Sequence, residues 1–131
     1  MSTGRPKFIV IDDNKVDCFI AEKIIKSSGD CECLVFYQAA KALEYIKSLP
    51  ALPVITLILV DIQMPVMNGF EFVEAFEYLP AEARKSFHIY ILSSSINEND
   101  IFRVKSFTSV KKFLSKPLTN SIIKDVLKDY P

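Results

Sequence analysis

Histidine occurs once in the 131 residues and cysteine only three times, and neither sign of charge is in excess, with 16 Lys+Arg against 16 Asp+Glu. These shortages narrow the chemistry. Cys18, Cys31 and Cys33 are an odd number, and the N-terminal stretch has no apolar core that reads as a secretion signal, so a reduced, cytoplasmic protein is expected. The spacing Cys31-x-Cys33 invites a metal pair, but one histidine and no second cysteine pair favour small buried hydrophobes. The longest apolar run, Leu52 to Val60, is broken by Pro53 and Thr56 and falls well short of the ~20 residues that span a bilayer. No membrane insertion is expected.

Charge is balanced overall yet unevenly spread, since residues 101–131 carry seven basic and two acidic side chains while residues 1–100 carry nine and fourteen. A neutral total argues against nonspecific nucleic-acid binding, so the asymmetry points to a protein surface. There is no repeat, low-complexity tract or linker. The length suits one globular domain, and a core over about 6–130 without an output domain is expected.

Five short β-rich runs stand out: Phe8–Ile11, Cys33–Phe36, Leu57–Val60, Ile89–Leu92 and Lys112–Leu114. Segments with helical spacing separate them. Val16, Phe19, Ile20 and Ile24 mark the first, Ala39, Leu43 and Ile46 the second, and Phe72, Val73, Phe76 and Leu79 the third. A weaker helix over Asn97–Phe107 turns Ile101 and Val104 inward, and Ile122, Val126 and Leu127 mark the last. Ser28-Gly29-Asp30 and Leu49-Pro50 close the first two helices, Asn68-Gly69 opens the third and Thr119 caps the last. Strands such as FIVI and LILV are apolar throughout, which fits a parallel sheet covered on both faces and hence an α/β sandwich.

In an open parallel sheet the ligand site lies beyond the carboxyl ends of the strands. The first run ends in Asp12-Asp13, the third in Asp61, the fourth in Ser93-Ser94-Ser95 and the fifth in Ser115-Lys116-Pro117. Carboxylates brought together there repel by ~4 kcal/mol per close pair at an effective dielectric near 20, so a cation must offset them. Mg²⁺ suits oxygen ligands of this kind and the chemistry of phosphoryl groups, while Lys116 adds a fixed positive charge. A carboxylate so placed can attack phosphorus and form an aspartyl phosphate. Ser93 can then donate a hydrogen bond to a phosphoryl oxygen. His88 precedes the fourth strand and reads as structural, far from any Ser-His-Asp arrangement. Phe70, Phe72, Phe76, Phe87 and Phe107 read as core or its margins.

Taken together, Asp12-Asp13, the segment LVDIQMPVMNGFEF around Asp61, ILSSS at the fourth strand end and FLSKPLT at the fifth resemble the response-regulator receiver domain over nearly the whole chain. The resemblance implies a (βα)5, flavodoxin-like fold with a five-stranded parallel sheet in the order 2-1-3-4-5 and helices on both faces. It implies Asp61 as phosphoacceptor, Asp13 and Asp61 as direct Mg²⁺ ligands with the backbone carbonyl of Gln63, and Asp12 as a helper through water. Ser93 and Lys116 would act on the phosphoryl group, Phe113 would be the aromatic switch, and the Lys116-Pro117 bond would be cis. Phosphorylation would come from a sensor histidine kinase or histidine phosphotransfer protein. A downstream protein target would read the result on the surface of the fourth helix, fifth strand and fifth helix, with the chain a monomer or weak phosphorylation-dependent dimer. The chain would catalyse only its own aspartyl phosphorylation and dephosphorylation. Ser94 and Phe113 depart from the commonest residues of the family without breaking this chemistry, and Gln63 and Ser95 occupy positions that vary in the family and would affect how attacking water reaches the phosphoryl group.

Two other readings fit parts of the pattern. A phosphorylation-independent binding module would keep the fold without needing the full set of acids, hydroxyl and lysine. An aspartyl-nucleophile phosphatase commonly has a second Asp two residues after the nucleophile, where this chain has Gln63.

Overall fold

A computed structural model describes residues 5–50, 54–94 and 97–130. The strands are β1 (Lys7–Ile11), β2 (Cys33–Phe36), β3 (Thr56–Asp61), β4 (Phe87–Ser93) and β5 (Val110–Ser115). They are joined through helices α1 (Lys15–Gly29), α2 (Ala39–Ser48), α3 (Gly69–Glu77), α4 (Ala81–Arg84), α5 (Glu98–Lys105) and α6 (Asn120–Leu127). All neighbouring strands are parallel and lie in the order β2-β1-β3-β4-β5. The five expected strands are all present, and one short helix, α4, was not anticipated. Its four residues end on a turn in which Lys85 N–H bonds to Ala81 carbonyl, too short for any periodicity to reveal.

Alternation along the central strands builds two cores. Ile9, Ile11, Ile58, Val60, Ile89 and Ile91 face α2, α3 and α5, whereas Phe8, Val10, Leu57, Leu59, Tyr90 and Leu92 face α1 and α6. Side chains on successive strand residues point to opposite faces, so an unbroken apolar strand is what a doubly covered sheet requires. Every residue of β3 is buried. Burying each such aliphatic side chain contributes roughly 1.5–3 kcal/mol.

The apolar stripe read on α1 faces the wrong way. Val16, Phe19 and Ile20 are exposed, by as much as 65% for Val16, while Cys18, Ala21 and Ile25 are buried against the sheet. Small residues at 18 and 21 let the helix axis approach the sheet closely, and the Cys18 thiol donates to the Asp12 carbonyl at 3.2 Å, which fixes the helix phase. Ile24 does pack against this core. Elsewhere Ala39, Leu43, Ile46, Phe72, Val73, Phe76, Val104 and Val126 are buried as expected and Leu79, Ile122 and Leu127 pack at the core margins, whereas Ile101 is half-buried and joins neither core. Ile123, fully buried on α6, belongs to its stripe as well.

Helix boundaries follow local chemistry. Asn68 and Glu71 form a capping box that satisfies two orphan amides at the start of α3. Thr119 accepts from Ile122 N–H at α6, and Asp30 closes α1 in the left-handed conformation. Gly69 is required by close approach, because a Cβ there would stand 2.6 Å from the Asp61 carbonyl oxygen. The loop between β3 and α3 is thereby drawn against the end of β3.

Among the described residues no helix is long and apolar enough to cross a membrane. Cys18 and Cys31 are buried free thiols and Cys33 is half-buried. Residues 52 and 53 of the long apolar run, and Ser95, lie outside the described residues.

Candidate functional site

Parallel register delivers the acids to one place. Ile11 pairs with Val60, so Asp12 and Asp61 leave the sheet side by side at the carboxyl ends of β1 and β3. Asp12 is 1% exposed and Asp61 8%, whereas Asp13 is exposed at the rim. Oxygen atoms of all three lie within 4.8 Å of one another. Among the described residues this is the group of His, Cys, Asp and Glu side chains spaced to hold a metal ion.

Lys116, following β5, reaches into this cluster. Its ammonium donates to Asp12 Oδ2 at 2.6 Å and Asp17 Oδ2 at 3.1 Å, and stands 3.5 Å from Asp61 Oδ2. The lysine side chain is only 15% exposed. Burial alone would weaken its charge, but the bonds to Asp12 and Asp17 and the charge of Asp61 hold the ammonium well above the usual lysine range. Burial also pushes the Asp61 carboxyl up to about 6 from an ordinary 3.8; the charge of Lys116 opposes the rise, Asp12 adds to it, and a backbone bond from Gln63 opposes it. Ionised Asp61 is therefore disfavoured by its protein surroundings. A divalent cation with carboxylate ligands would relieve it, and the donor set, all hard oxygen, fits Mg²⁺.

The remaining expected residues are brought to the same end. Ser93 closes β4, is buried, pairs in register with Ser115, and its carbonyl accepts from the Lys116 amide at 2.8 Å. The Lys116-Pro117 bond is cis. Phe113 sits on β5 opposite Ile91, half-buried, and packs against the α2-α3-α5 core. Gln63 is exposed, two residues beyond Asp61. Val66, 99% exposed in the same loop, holds φ at 69°, a left-handed conformation costing a β-branched residue roughly 1–2 kcal/mol. Beside the acids a cavity of about 210 Å³ opens between α1 and the segment after β5, with Asp12, Asp17, Ile20, Ser94, Lys116 and Pro117 among its walls.

Sequence reasoning missed Asp17. The signal was available: Asp17 lies one helical turn after Asp13, and the Asn14 cap that accepts its amide sets that turn over the strand ends.

The sequence matches the response regulator receiver domain family over residues 8–128, and the chain belongs to that family. It is 30% identical over 128 residues to hybrid signal transduction histidine kinase L of Dictyostelium discoideum, and 29% identical over 133 residues to kinase B of that organism. In both cases 95% of this chain is matched, but it spans only 7% and 6% of those proteins. A response regulator receiver protein from Dyadobacter fermentans is 32% identical, with a TM-score of 0.86 and 95% and 96% of the two chains covered. The chemotaxis protein CheY4 of Vibrio cholerae shares the fold at 21% identity and a TM-score of 0.79, with 96% and 98% covered. The chain is thus a receiver domain of two-component signalling, a class of signalling proteins and not of classical enzymes. Receiver domains generally bind Mg²⁺ at an acidic pocket and interact with histidine kinases or phosphotransfer proteins.

Proposed function

We propose that this domain accepts a phosphoryl group on Asp61 from the phosphohistidine of a sensor kinase or phosphotransfer protein, and that the modification switches a protein-binding surface. One observation carries the reading: three carboxylates within 4.8 Å of one another share a site with a buried lysine, at the carboxyl ends of parallel strands. That is a pocket built for an anion with more charge than a carboxylate, once a cation is present.

Asp13, Asp61 and the Gln63 carbonyl would hold Mg²⁺, with Asp12 assisting through water. When bound, the ion offsets carboxylate charge and draws electron density from the phosphoryl oxygens. An Asp61 oxygen attacks phosphorus, the nitrogen–phosphorus bond breaks, and its electron pair returns to the imidazole, which takes up a proton. The product is a mixed anhydride on Asp61. Reversal of the mark is hydrolytic: water adds to phosphorus, the bond to Asp61 breaks, the carboxylate is regenerated and inorganic phosphate leaves. Ser93 donates a hydrogen bond to one phosphoryl oxygen and Lys116 balances the charge of another.

Movement of Ser93 and Lys116 toward the phosphoryl group draws Phe113 inward. The change biases the face made by α5, β5 and α6. Because α4 is an added short turn, α5 here is the helix that follows β4, the fourth by the family's count. Lys105, Lys111 and Lys112 are exposed on this side, which suits a downstream protein target. Val16, Phe19 and Ile20 form an exposed apolar face on α1 next to the acid pocket, which supports docking of the phosphodonor there. The domain is expected to work in the cytoplasm, as a monomer or weak phosphorylation-dependent dimer.

Incubation with a phosphorylated histidine phosphotransfer domain tests the reading. Wild type gains base- and hydroxylamine-labile label and Asp61→Asn gains none; equal labelling of the two would reject Asp61 as acceptor. Target binding that ignored both the donor and Asp61→Asn would point instead to a phosphorylation-independent module.

A further inference from the structure

An ammonium has three donor hydrogens, and three carboxylates stand within 3.5 Å of that of Lys116. Asp12 takes the shortest contact at 2.6 Å, Asp17 the next at 3.1 Å, and Asp61 stands last at 3.5 Å. A phosphoryl group on Asp61 would bring oxygens that also require Lys116, so one existing partner has to yield. Asp12 is a poor candidate, since its side chain is 2% exposed and, with only the Asn14 N–H left on Oδ1, its Oδ2 would be buried without a counter-charge. Asp17 is 40% exposed and can return to water.

We propose that Asp17 is a positioning residue that holds Lys116 toward α1 and competes with the phosphoryl group for its ammonium. This rests on the reading of Asp61 as the phosphoacceptor. Asp17 is not in the group spaced for a metal, so its effect runs through the lysine. The bond it offers is charge-assisted but half in solvent, which makes it strong enough to bias Lys116 and weak enough to break. Asp17 also lies in the α1 turn carrying exposed Val16, and it lines the cavity beside the pocket. A partner seated on α1 would therefore meet the residue that restrains the lysine.

The bland role for Asp17 is an acid in the first turn of α1, favourable to the helix dipole. A double-mutant cycle separates the two. Affinity for beryllofluoride, a phosphoryl mimic, is measured by calorimetry with Mg²⁺ present on wild type, Asp17→Asn, Lys116→Gln and the double variant, alongside the thermal midpoint of each. Asp17→Asn should bind roughly fivefold tighter in the Lys116 background, the order expected for releasing one half-exposed charge-assisted contact. With Lys116→Gln the same change should have no effect. Asp17→Ala, which removes both charge and hydrogen bond, should match Asp17→Asn. Equal affinities for wild type and Asp17→Asn would overturn the proposal, as would a gain that persisted with Lys116→Gln, since a general charge effect would then suffice. A thermal shift alone would leave only the helix-end role and would also overturn it. If wild type failed both to bind beryllofluoride and to accept label from any donor, the phosphoacceptor reading would fall first and this inference with it.

Discussion

The two ends of the sheet bury polar groups in opposite ways. At the carboxyl end, Asp12, Asp17 and Asp61 compete for one ammonium, and burial forces the Asp61 carboxyl up to about 6. At the other end, Tyr130 beyond α6 meets the Tyr90 hydroxyl at 2.8 Å and His88 Nδ1 at 2.7 Å, all uncharged groups with partners. Burial lowers the pKa of His88, with Lys111 adding to the effect, and the ring stays neutral. The acidic end is over-subscribed and can gain by taking up a cation or an anion with it. At the tyrosine end the three polar groups satisfy one another. Similar burial therefore leaves three carboxylates around one ammonium in one place and a closed set of hydrogen bonds on Tyr130 in the other.

Removing Lys116 should break the acidic end most severely. Lys116→Met leaves Asp12 and Asp61 buried without a counter-charge, and a loss of about 3 kcal/mol is expected in chelator by urea denaturation. Added Mg²⁺ should recover part of that loss, because a cation that binds only the folded acids stabilises by linkage. No recovery would mean that the three carboxylates do not form a cation site. The satisfied end should respond less. Tyr90→Phe deletes one hydroxyl while Tyr130 keeps His88, so a cost of about 1 kcal/mol is expected, with phosphorylation unchanged. Altered labelling of that variant would show the two ends to be coupled.

The smallest effect concerns pH. Because the pKa of His88 is depressed in the fold, its neutral ring contributes stability that is present above its ordinary 6.5 and is lost as pH falls below it. Denaturation midpoints of wild type should therefore decline through that range more steeply than those of His88→Gln. Parallel curves would place the ring in water.

Much of this contrast was legible in the sequence, and the parts that were not have physical causes. Unbroken apolar runs announced a doubly covered parallel sheet, and strand ends placed Asp12, Asp13, Asp61, Ser93 and Lys116 together. The strand order came from family resemblance, because periodicity fixes faces and not neighbours. The face of α1 was misread because large residues at 16, 19 and 20 outweigh the small Cys18 and Ala21 that allow close packing. Asp17 escaped notice for the same reason, since its role depends on where that helix turn falls relative to Lys116. The hydrogen-bonded set of His88, Tyr90 and Tyr130 joins residues 40 and 42 positions apart, beyond what local pattern carries.

The central claim is that the acid pocket is a Mg²⁺-dependent phosphoacceptor centred on Asp61. Intact mass after incubation with acetyl phosphate, with Mg²⁺ or with chelator, on wild type and Asp61→Asn, tests it most directly. One added phosphoryl group on wild type with Mg²⁺, and none in the other three samples, is the predicted result. An equal gain on Asp61→Asn, or one indifferent to chelator, would contradict it.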